Sequence, residues 1–312
     1  MSLGGLLRNK PVIYEIVPPR WDKSRFNTEL RGVEEVLNDS RIAAINIPEL
    51  INRGAAGGPN SYSPATIPPE DYAMMIRERK EGIVNIIAPR LEKREFLRRT
   101  HKILHDFKIR NLVLVGKEKH EDVLPGPSVL EALSLLKAQR YGQAALGGIC
   151  IFNRSTRSLE DYQVNGSNLD EPRRVWLKAR AGCDFVTSQI VFDPKPAIEF
   201  FSSYQELCEK TETSPLTTFV SLTTVPSRSI LSLLQSLDVV IPAHVMKRLL
   251  GSNDLARESL AVSTESLSEI LEELERRGVK LPLGLQIEQI GVDNDTLSLD
   301  LMDRAYPLFR AG

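Results

Sequence analysis

The segment Arg180-Ala-Gly-Cys-Asp-Phe-Val-Thr-Ser-Gln-Ile-Val-Phe-Asp193 contains the end of one structural element and the whole of the next. Gly182 follows a basic helical stretch and is typical of a helix stop. The run Phe185–Phe192 is apolar and β-branched almost throughout, which is typical of a strand buried on both faces of a parallel sheet. A helix-like segment, Pro196–Lys210, follows. The segment therefore predicts one helix–strand–helix step of an α/β protein.

The same kind of apolar run occurs eight times along the chain, and helix-like segments separate most of the runs. The predicted strands are Val12–Val17, Ile42–Ile47, Ile83–Ala88, Asn111–Val115, Leu146–Phe152, Phe185–Phe192, Thr217–Leu222 and Leu283–Ile287. The predicted helices are Phe26–Leu37, Glu92–Phe107, Ser128–Gln139, Pro172–Ala181, Pro196–Lys210, Arg228–Leu237 and Leu255–Arg277. This alternation favours a single (β/α)8 TIM barrel over residues 1–312, because no Gly-x-Gly-x-x-Gly turn of a doubly wound sheet follows the first strand.

Local signals mark some helix ends and two long loops. Ser227 is a predicted cap for the helix that begins near Arg228, and Gly278 is a predicted stop after the last long helix. The longest irregular stretches are the Pro/Gly/Ser-rich Gly54–Pro69 and the polar Asn153–Leu169. Both follow predicted strands, so they should lie at the face of the barrel where active sites form.

Composition excludes several classes of protein. Of the 312 residues, 42% are hydrophobic and 26% are charged, which is typical of a globular protein and not of a disordered chain or a fibre. Forty Lys plus Arg balance forty-one Asp plus Glu, and the formal charge of −1 predicts no binding to nucleic acid or to an anionic membrane surface. No apolar stretch approaches the roughly 18 residues of a membrane span.

The cysteines and histidines predict neither disulfides nor a metal centre. Cys150, Cys183 and Cys208 are too scattered for a disulfide framework, which favours a reducing cytoplasmic location. His101 and His105 lie four residues apart on a predicted helix, a spacing that can bind a metal ion. Because no third ligand is evident beside them, a solvated helix face is the favoured interpretation.

Glu15 is the first candidate for chemistry, because it interrupts the otherwise apolar strand in Val12-Ile-Tyr-Glu-Ile-Val-Pro-Pro-Arg20. A buried carboxylate must face a polar cavity, pair with a cation or stay protonated, since an unpaired buried charge is costly. Burial can raise a glutamate pKa from about 4.3 towards 6–7, where the group can act as a general acid. A purely structural ion pair with Arg20 or with another arginine of the barrel is the alternative.

Gln189 is the second candidate, because it lies within the apolar run Phe185–Phe192. A buried amide needs partners for two donors and for its oxygen. A heterocyclic ring with mixed donors and acceptors would supply them. A glutamine that braces a neighbouring loop explains the residue equally well.

These segments together resemble one enzyme family. Tyr14-Glu-Ile-Val-Pro-Pro-Arg20 resembles the aromatic-Glu-x-x-Pro-Pro signature on strand one of the 5,10-methylenetetrahydrofolate reductases. Ala181–Asp193 is similar to their Ala-Gly-Ala-Asp-x-x-x-Thr-Gln-x-x-x-Asp stretch. The helix Val175–Gly182 and the pair Ile241-Pro242 ahead of a short helix match further elements of that family, so the resemblance extends across nearly the whole chain.

The resemblance implies a flavin-containing barrel that reduces 5,10-methylenetetrahydrofolate, or a related pterin, to the 5-methyl form. FAD would be the flavin, with FMN as the alternative, and NADH or NADPH would supply the hydride. Glu15 would protonate the bridging nitrogen and so open the five-membered ring, and Gln189 would hydrogen-bond the pterin. Lys178 matches the family's flavin-nucleotide lysine, and Glu171 matches an acidic ribose contact.

The chain also departs from the family pattern. After strand four the family has Arg-Gly-Asp, whereas this chain has Val115-Gly116-Lys117. Gly116 and Lys117 are therefore candidate cofactor contacts of altered charge; Lys117 would stabilise an anionic reduced flavin, indicate another electron donor, or simply be solvated in a mixed charge run. Asn85 aligns with the first residue of the family's His-x-Thr-Cys and is a candidate contact for the same reason. Near strand eight, Gln286-Ile-Glu-Gln-Ile-Gly291 lacks the aromatic residue and the Asn-Arg pair of the family.

Two further functions stay open at this stage. The nicotinamide and the pterin could meet directly without a flavin. Alternatively, the chain could be a non-catalytic or partner-dependent subunit that binds a folate or pterin within a one-carbon complex. A homo-oligomer is compatible with either function.

Overall fold

The barrel is built from eight parallel strands that are hydrogen-bonded in a closed ring. The computed structural model describes residues 7, 10–19, 33–50, 66–117, 123–139, 144–155, 163–164, 167–168, 170–290 and 295–311. The strands are β1 (Val12–Ile16), β2 (Ala44–Ile47), β3 (Glu81–Ile87), β4 (Asn111–Val115), β5 (Ala145–Cys150), β6 (Phe185–Ser188), β7 (Thr217–Thr223) and β8 (Leu283–Gln289). Each strand pairs in parallel with the strands before and after it, and β8 pairs with β1. The predicted (β/α)8 barrel is confirmed.

Helices surround the ring of strands. Within the described ranges they are α1 (Glu34–Asn38), α2 (Pro69–Ile76), α3 (Lys93–His101), α4 (Val129–Ala138), α5 (Glu171–Ala181), α6 (Pro194–Lys210), α7 (Arg228–Ser236), α8 (Ala243–Gly251), α9 (Leu255–Arg276) and α10 (Asp295–Ala311). A π-helical turn, Lys102–Asp106, extends α3, and short 3-10 turns lie at Ala88–Arg90 and Phe152–Ser155. A search of the described helices finds no segment with the length and apolarity required to cross a lipid bilayer.

Apolar side chains fill the middle of the barrel. Six buried residues form one layer inside it: Ile13, Ala44, Ile83, Val113, Phe185 and Phe219. The rings of Phe185 and Phe219 meet edge to face with centroids 5.8 Å apart. Gly147 and Gly284 leave the room for these rings, since an added Cβ at either position would collide with the neighbouring Phe. The middle of the barrel is therefore packed, and polar side chains can gather only at its ends.

The strand predicted over Phe185–Phe192 is too long. In the structure β6 ends at Ser188, and the chain then leaves the barrel. Ile190 and Phe192 remain buried because they pack in a separate apolar cluster with residues of α7, α8 and α9. An apolar run can thus continue past the end of a strand when the residues beyond the strand are buried in a second apolar cluster.

The predicted helix boundaries have clear local causes. Ser227 caps α7 by accepting a hydrogen bond from the Ile230 amide at 3.3 Å. Gly182 ends α5 in the left-handed region with φ of 105°, and Gly278 follows α9 with φ of 69°, a conformation that favours glycine. These three predictions are confirmed.

Other helices differ from the prediction. α2 begins at Pro69, the last residue of the predicted loop Gly54–Pro69, and α10 has no counterpart among the predicted helices. A short antiparallel hairpin, whose strands Gln163–Val164 and Ser167–Asn168 have two residues each, lies within the second predicted loop. The rest of that loop between residues 156 and 169, like residues 51–65 and Arg20, lies outside the described residues, as do residues 26–32 of the first predicted helix.

Candidate functional site

Polar side chains occupy the carboxyl end of the barrel, which we call the mouth. Side chains alternate between the two faces of a strand, so residues two positions beyond the apolar middle layer point into the barrel at the next level. Five residues on four adjacent strands form a group that we call the polar sector. Glu15 on β1, Asn46 on β2 and Asn85 on β3 each lie two positions after a residue of the middle layer, and Gln286 and Glu288 on β8 lie two and four positions after Gly284. The order of strands in the ring therefore brings together residues that are far apart in the sequence.

Hydrogen bonds join four of the five members of the polar sector. Asn46 Nδ2 donates to Glu15 Oε2 at 2.7 Å. Gln286 Nε2 approaches the same oxygen at 3.4 Å and donates to Glu288 Oε1 at 2.9 Å. One amide nitrogen thus contacts both carboxyl groups, which lie on neighbouring strands with Glu15 and Glu288 as register partners.

Burial raises the pKa of both carboxyl groups, and the charge of Glu288 adds to the rise for Glu15. Glu15 as a residue has some exposure at the mouth, but its carboxyl group is surrounded by protein. Loss of hydration raises the pKa of Glu15 well above its ordinary value, the negative charge of Glu288 raises it further, and the hydrogen bond from Asn46 opposes the rise. Burial also raises the pKa of Glu288 to about 7, while hydrogen bonding by Ser221 and Gln286 limits the rise.

Three amide oxygens of the polar sector have no hydrogen-bond partner among the described residues. They are Asn46 Oδ1, Asn85 Oδ1 and Gln286 Oε1. The three side chains are buried, with 1%, 6% and 1% exposure respectively. Because a buried polar atom normally has a partner, this concentration of unpartnered acceptors marks a place where a ligand or water with N–H or O–H groups fits.

Gln189 lies at the same end of the barrel as Glu15. It is the first residue after β6, and its backbone amide donates to Cys150 O at 2.8 Å. Its side-chain nitrogen donates to Leu237 O at 3.4 Å, and its side-chain oxygen accepts from the Ile190 amide at 3.1 Å. These contacts connect the end of β6 with the segment after α7. They match the alternative in which Gln189 braces a neighbouring loop. Contact of Gln189 with a pterin stays a prediction.

Glu171 and Lys178 lie together in a buried ion-pair cluster at the end of β5. Glu171 has 0% exposure and accepts a hydrogen bond from the Ile151 amide at 3.2 Å. Lys178 Nζ lies 3.6 Å from Glu171 Oε1 and donates to Ile149 O at 2.6 Å. Arg154 also faces Glu171, with Nη1 at 3.5 Å from Oε2. Arg174 Nε lies 3.9 Å from the same Oε2, so one carboxylate faces three cations and the cluster has an excess of positive charge.

This pairing bears on the flavin implied by the family resemblance. A lysine that holds a flavin phosphate and an acid that holds its ribose must turn their polar atoms towards the ligand. Here Lys178 and Glu171 face each other and the end of β5 instead. Contact of Lys178 and Glu171 with a flavin nucleotide stays a prediction, and we derive no chemical step through a flavin.

Gly116 and Lys117 follow β4 directly at the mouth. A Cβ at Gly116 would lie at an ordinary contact distance of 3.5 Å from Val129, so packing within the described protein does not require glycine there, and contact with a cofactor stays a prediction. Lys117 is exposed. Of the candidates taken from departures from the family pattern, Asn85 alone lies in the polar sector.

His101, His105 and Asp106 lie together near the opposite end of the barrel, and they correct one prediction made from the sequence. His101 and His105 stack with ring centroids 4.7 Å apart, and His105 Nδ1 lies 2.9 Å from Asp106 Oδ1. The potential ligand atoms of these three exposed residues all lie within 4.8 Å of one another. The statement that no third ligand accompanies the histidines is therefore wrong, because the π-helical turn places Asp106 beside them. The prediction that no metal binds stays a prediction.

The sequence reasoning missed Asn46, Gln286 and Glu288. Each is a polar residue in an otherwise apolar predicted strand, or directly after one, which is the same signal that identified Glu15. Gln286 and Glu288 also alternate with apolar residues at the spacing of one strand face. That pattern could have placed both on the inner face, but the pairing with Glu15 depends on the closure of the ring.

Comparison with known proteins supports the fold. No protein-family profile matches the sequence, and no curated protein matches it significantly. Among solved structures, an uncharacterized protein from Clostridium thermocellum that binds two copies of 5-methyl-5,6,7,8-tetrahydrofolic acid aligns with a TM-score of 0.77 at 18% identity, covering 98% of this chain and 100% of the other. A GH18 chitinase from Pseudoalteromonas aurantia aligns with a TM-score of only 0.47 at 10% identity, covering 94% and 99%. At 18% identity the likeness to the Clostridium thermocellum protein shows a shared fold alone.

Proposed function

We propose that this protein binds a reduced folate or a related pterin in the mouth of the barrel. The observation that carries the proposal is the polar sector, in which three buried amide oxygens without partners among the described residues lie at the same end of the barrel as two carboxyl groups. The pyrimidinone edge of a pterin presents an amino group and a ring N–H beside a carbonyl oxygen. Carboxyl and carboxamide side chains match that edge, because carboxylates accept neighbouring N–H groups and amides both donate and accept.

A second observation supports the ligand class. The solved structure that aligns over 98% of this chain is that of a protein that binds 5-methyltetrahydrofolate. The aligned chain has the same architecture, and ligands of such barrels bind at the carboxyl ends of the strands. The polar sector lies at that end.

Titration with 5-methyltetrahydrofolate, followed by calorimetry, tests the proposal. We expect saturable binding that Asn85→Leu weakens by about 10-fold or more, since a ligand N–H would lose its acceptor. Asn111→Leu is the matched control. Asn111 is also a buried asparagine whose Oδ1 lacks a partner among the described residues, but it lies at the start of β4, at the end of the barrel opposite the mouth. Melting curves establish that both variants fold. Absence of binding to the wild type, or equal weakening by both variants, would contradict the proposal.

Reduction of 5,10-methylenetetrahydrofolate is a second candidate function, and the protonation of Glu15 favours it. A buried carboxyl whose pKa is raised can act as a general acid, and it would donate its proton to the bridging nitrogen of a pterin bound with that nitrogen, rather than its pyrimidinone edge, at Glu15. The five-membered ring then opens to an iminium carbon, and NADH or NADPH would supply the hydride that converts this carbon to a methyl group. Glu15 would regain its proton from solvent.

The two functions separate in simple assays. A colourless protein that oxidises NADH or NADPH only with 5,10-methylenetetrahydrofolate would support direct reduction, and a yellow protein bleached by NADH without oxygen would support the flavin route. A colourless protein that binds the folate but oxidises neither nicotinamide would support a binding subunit. If the protein is a reductase, Glu15→Gln should leave 5-methyltetrahydrofolate affinity nearly unchanged and reduce turnover by orders of magnitude.

A further inference from the structure

Glu288 lies close enough to Glu15 to act with it. The two residues are register partners on β1 and β8, and adjacent parallel strands lie about 4.8 Å apart. Gln286 Nε2 lies 3.4 Å from Glu15 Oε2 and 2.9 Å from Glu288 Oε1. On the other side of Glu15, Asn46 donates at 2.7 Å. Glu288 is more deeply placed, with 8% exposure.

The surroundings of the pair contain no compensating cation among the described residues that act on it. Glu288 is the charged group that faces Glu15, from β8, and the other contacts come from the amides of Asn46 on β2 and Gln286 on β8. Glu288 is held in turn by Gln286 and by the hydroxyl of Ser221 on β7. Two carboxylates this close and this dry cannot both be ionised near neutral pH.

We infer that Glu15 and Glu288 share one proton, and that Glu288 is the positioning residue that keeps Glu15 in its acid form. Once Glu288 has ionised, above a pH of about 7, Glu15 presents an O–H group at the mouth and Glu288 holds the single negative charge beside it. An acid and a carboxylate side by side suit a neutral heterocycle that has an acceptor beside an N–H donor. The same pair repels phosphate and other anions. The use of this pair on a pterin rests on the proposed function, whereas the shared proton does not.

A titration of the ligand-free protein tests the shared proton. In the full chain carrying 13C-labelled glutamate carboxyls, NMR follows the ionisation of Glu15 in the wild type and in Glu288→Gln. Removal of the neighbouring charge should lower the pKa of Glu15 by about one unit or more, the coupling expected of an interacting pair. The control is Glu81→Gln, which changes a carboxyl on the same face of β3 at the opposite end of the barrel and should leave Glu15 unchanged.

Each outcome decides the inference. An unchanged Glu15 titration in Glu288→Gln, or independent ionisation of both groups at ordinary glutamate pKa values, would overturn it. If Glu288→Gln fails to fold, Glu288→Asp keeps the charge but withdraws it by one methylene, and a shift of Glu15 in the same direction but smaller is expected. Because the titration uses no ligand, its failure is distinct from a failure to bind 5-methyltetrahydrofolate. If both hold, the affinity of the wild type for that folate should change as Glu288 ionises, and Glu288→Gln should abolish that change.

Discussion

The carboxyl pair at the mouth has a cost in stability that depends on pH. A glutamate whose pKa is raised by folding stabilises the folded state fully below its ordinary pKa near 4.5, and the contribution is lost as pH rises through the folded value, which is about 7 for Glu288. From pH 5 to pH 8 the wild type should therefore lose stability relative to Glu288→Gln, by up to a few kcal/mol. Melting temperatures of both proteins at the two pH values measure this difference.

Glu273 provides the control of opposite sign. Hydrogen bonds from Arg276 and Arg277 lower the pKa of Glu273 to about 2, so its contribution is lost only in acid. Glu273→Gln should leave the change in stability between pH 5 and pH 8 as in the wild type. A Glu288→Gln variant that also follows the wild type would show that Glu288 is not protonated in the folded protein.

At the scale of the residue, only half of the carboxyl pair could be predicted from the sequence. Glu15 stands out because it is a lone acid inside an apolar strand. Glu288 follows the predicted end of the last strand at Ile287, and nothing local connects it with Glu15, which lies 273 positions earlier. Their meeting requires β8 to pair with β1, a consequence of closing the ring. By contrast, Glu171 and Lys178 lie seven residues apart on α5, about two helical turns, so the spacing in the sequence already places them on one face of the helix.

At the scale of the element, a buried arginine joins α2, α3 and the end of β2. Arg99 Nη1 bonds Glu49 Oε1 at 2.5 Å, and its Nη2 bonds Glu70 Oε2 at 2.8 Å. Glu49 also accepts from the Ile87 amide at 2.6 Å, which connects it with β3. Arg99→Met should destabilise the protein by about 3–5 kcal/mol, because two buried carboxylates would lose their cation. Chemical denaturation measures the loss.

An exposed arginine gives the comparison. Arg276 pairs with Glu273 on α9 with a side chain that is 69% exposed. Arg276→Met should therefore unfold close to the wild-type denaturant concentration. Equal effects of the two substitutions would show that the Arg99 network is as solvated as a surface pair.

The barrel strands contain a second element-scale prediction at Gly284. A Cβ at this position would collide with the ring of Phe219 in the middle layer. Gly284→Ala should cost about 1–3 kcal/mol, the usual range for overpacking a core. Gly251→Ala at the end of α8, where a Cβ would meet nothing within 4 Å, should be neutral or slightly stabilising. Thermal unfolding of both variants distinguishes packing from a general effect of replacing glycine.

Strands were easier to predict than helices for a physical reason. Each barrel strand is buried on both faces, so its composition alone identifies it. Only Pro69, the first residue of α2, lies in the predicted loop Gly54–Pro69, and the rest of α2 is absent from the predicted helices, although proline at the first helical position favours a helix start. α10 contains Pro307, which interrupts the pattern of a helix interior.

At the scale of the whole molecule, the alternation of strands and helices was sufficient to predict the closed barrel. The aligned structure from Clostridium thermocellum, with a TM-score of 0.77 over 98% of this chain, agrees with it. The identity of the ligand could not be predicted in the same way, since many ligands bind to barrels of one architecture. Ligand identity depends on a few side chains at the mouth. The residues of the polar sector are far apart in the sequence, and only the closed ring of strands brings them together.

The most direct test of the account is a crystal structure of the protein grown with 5-methyltetrahydrofolate. We predict a pterin ring in the mouth, with its pyrimidinone edge within hydrogen-bond distance of Glu15 or Glu288 and of at least one of Asn46, Asn85 and Gln286. A folate bound elsewhere on the molecule, with the polar sector occupied by water, would contradict the account.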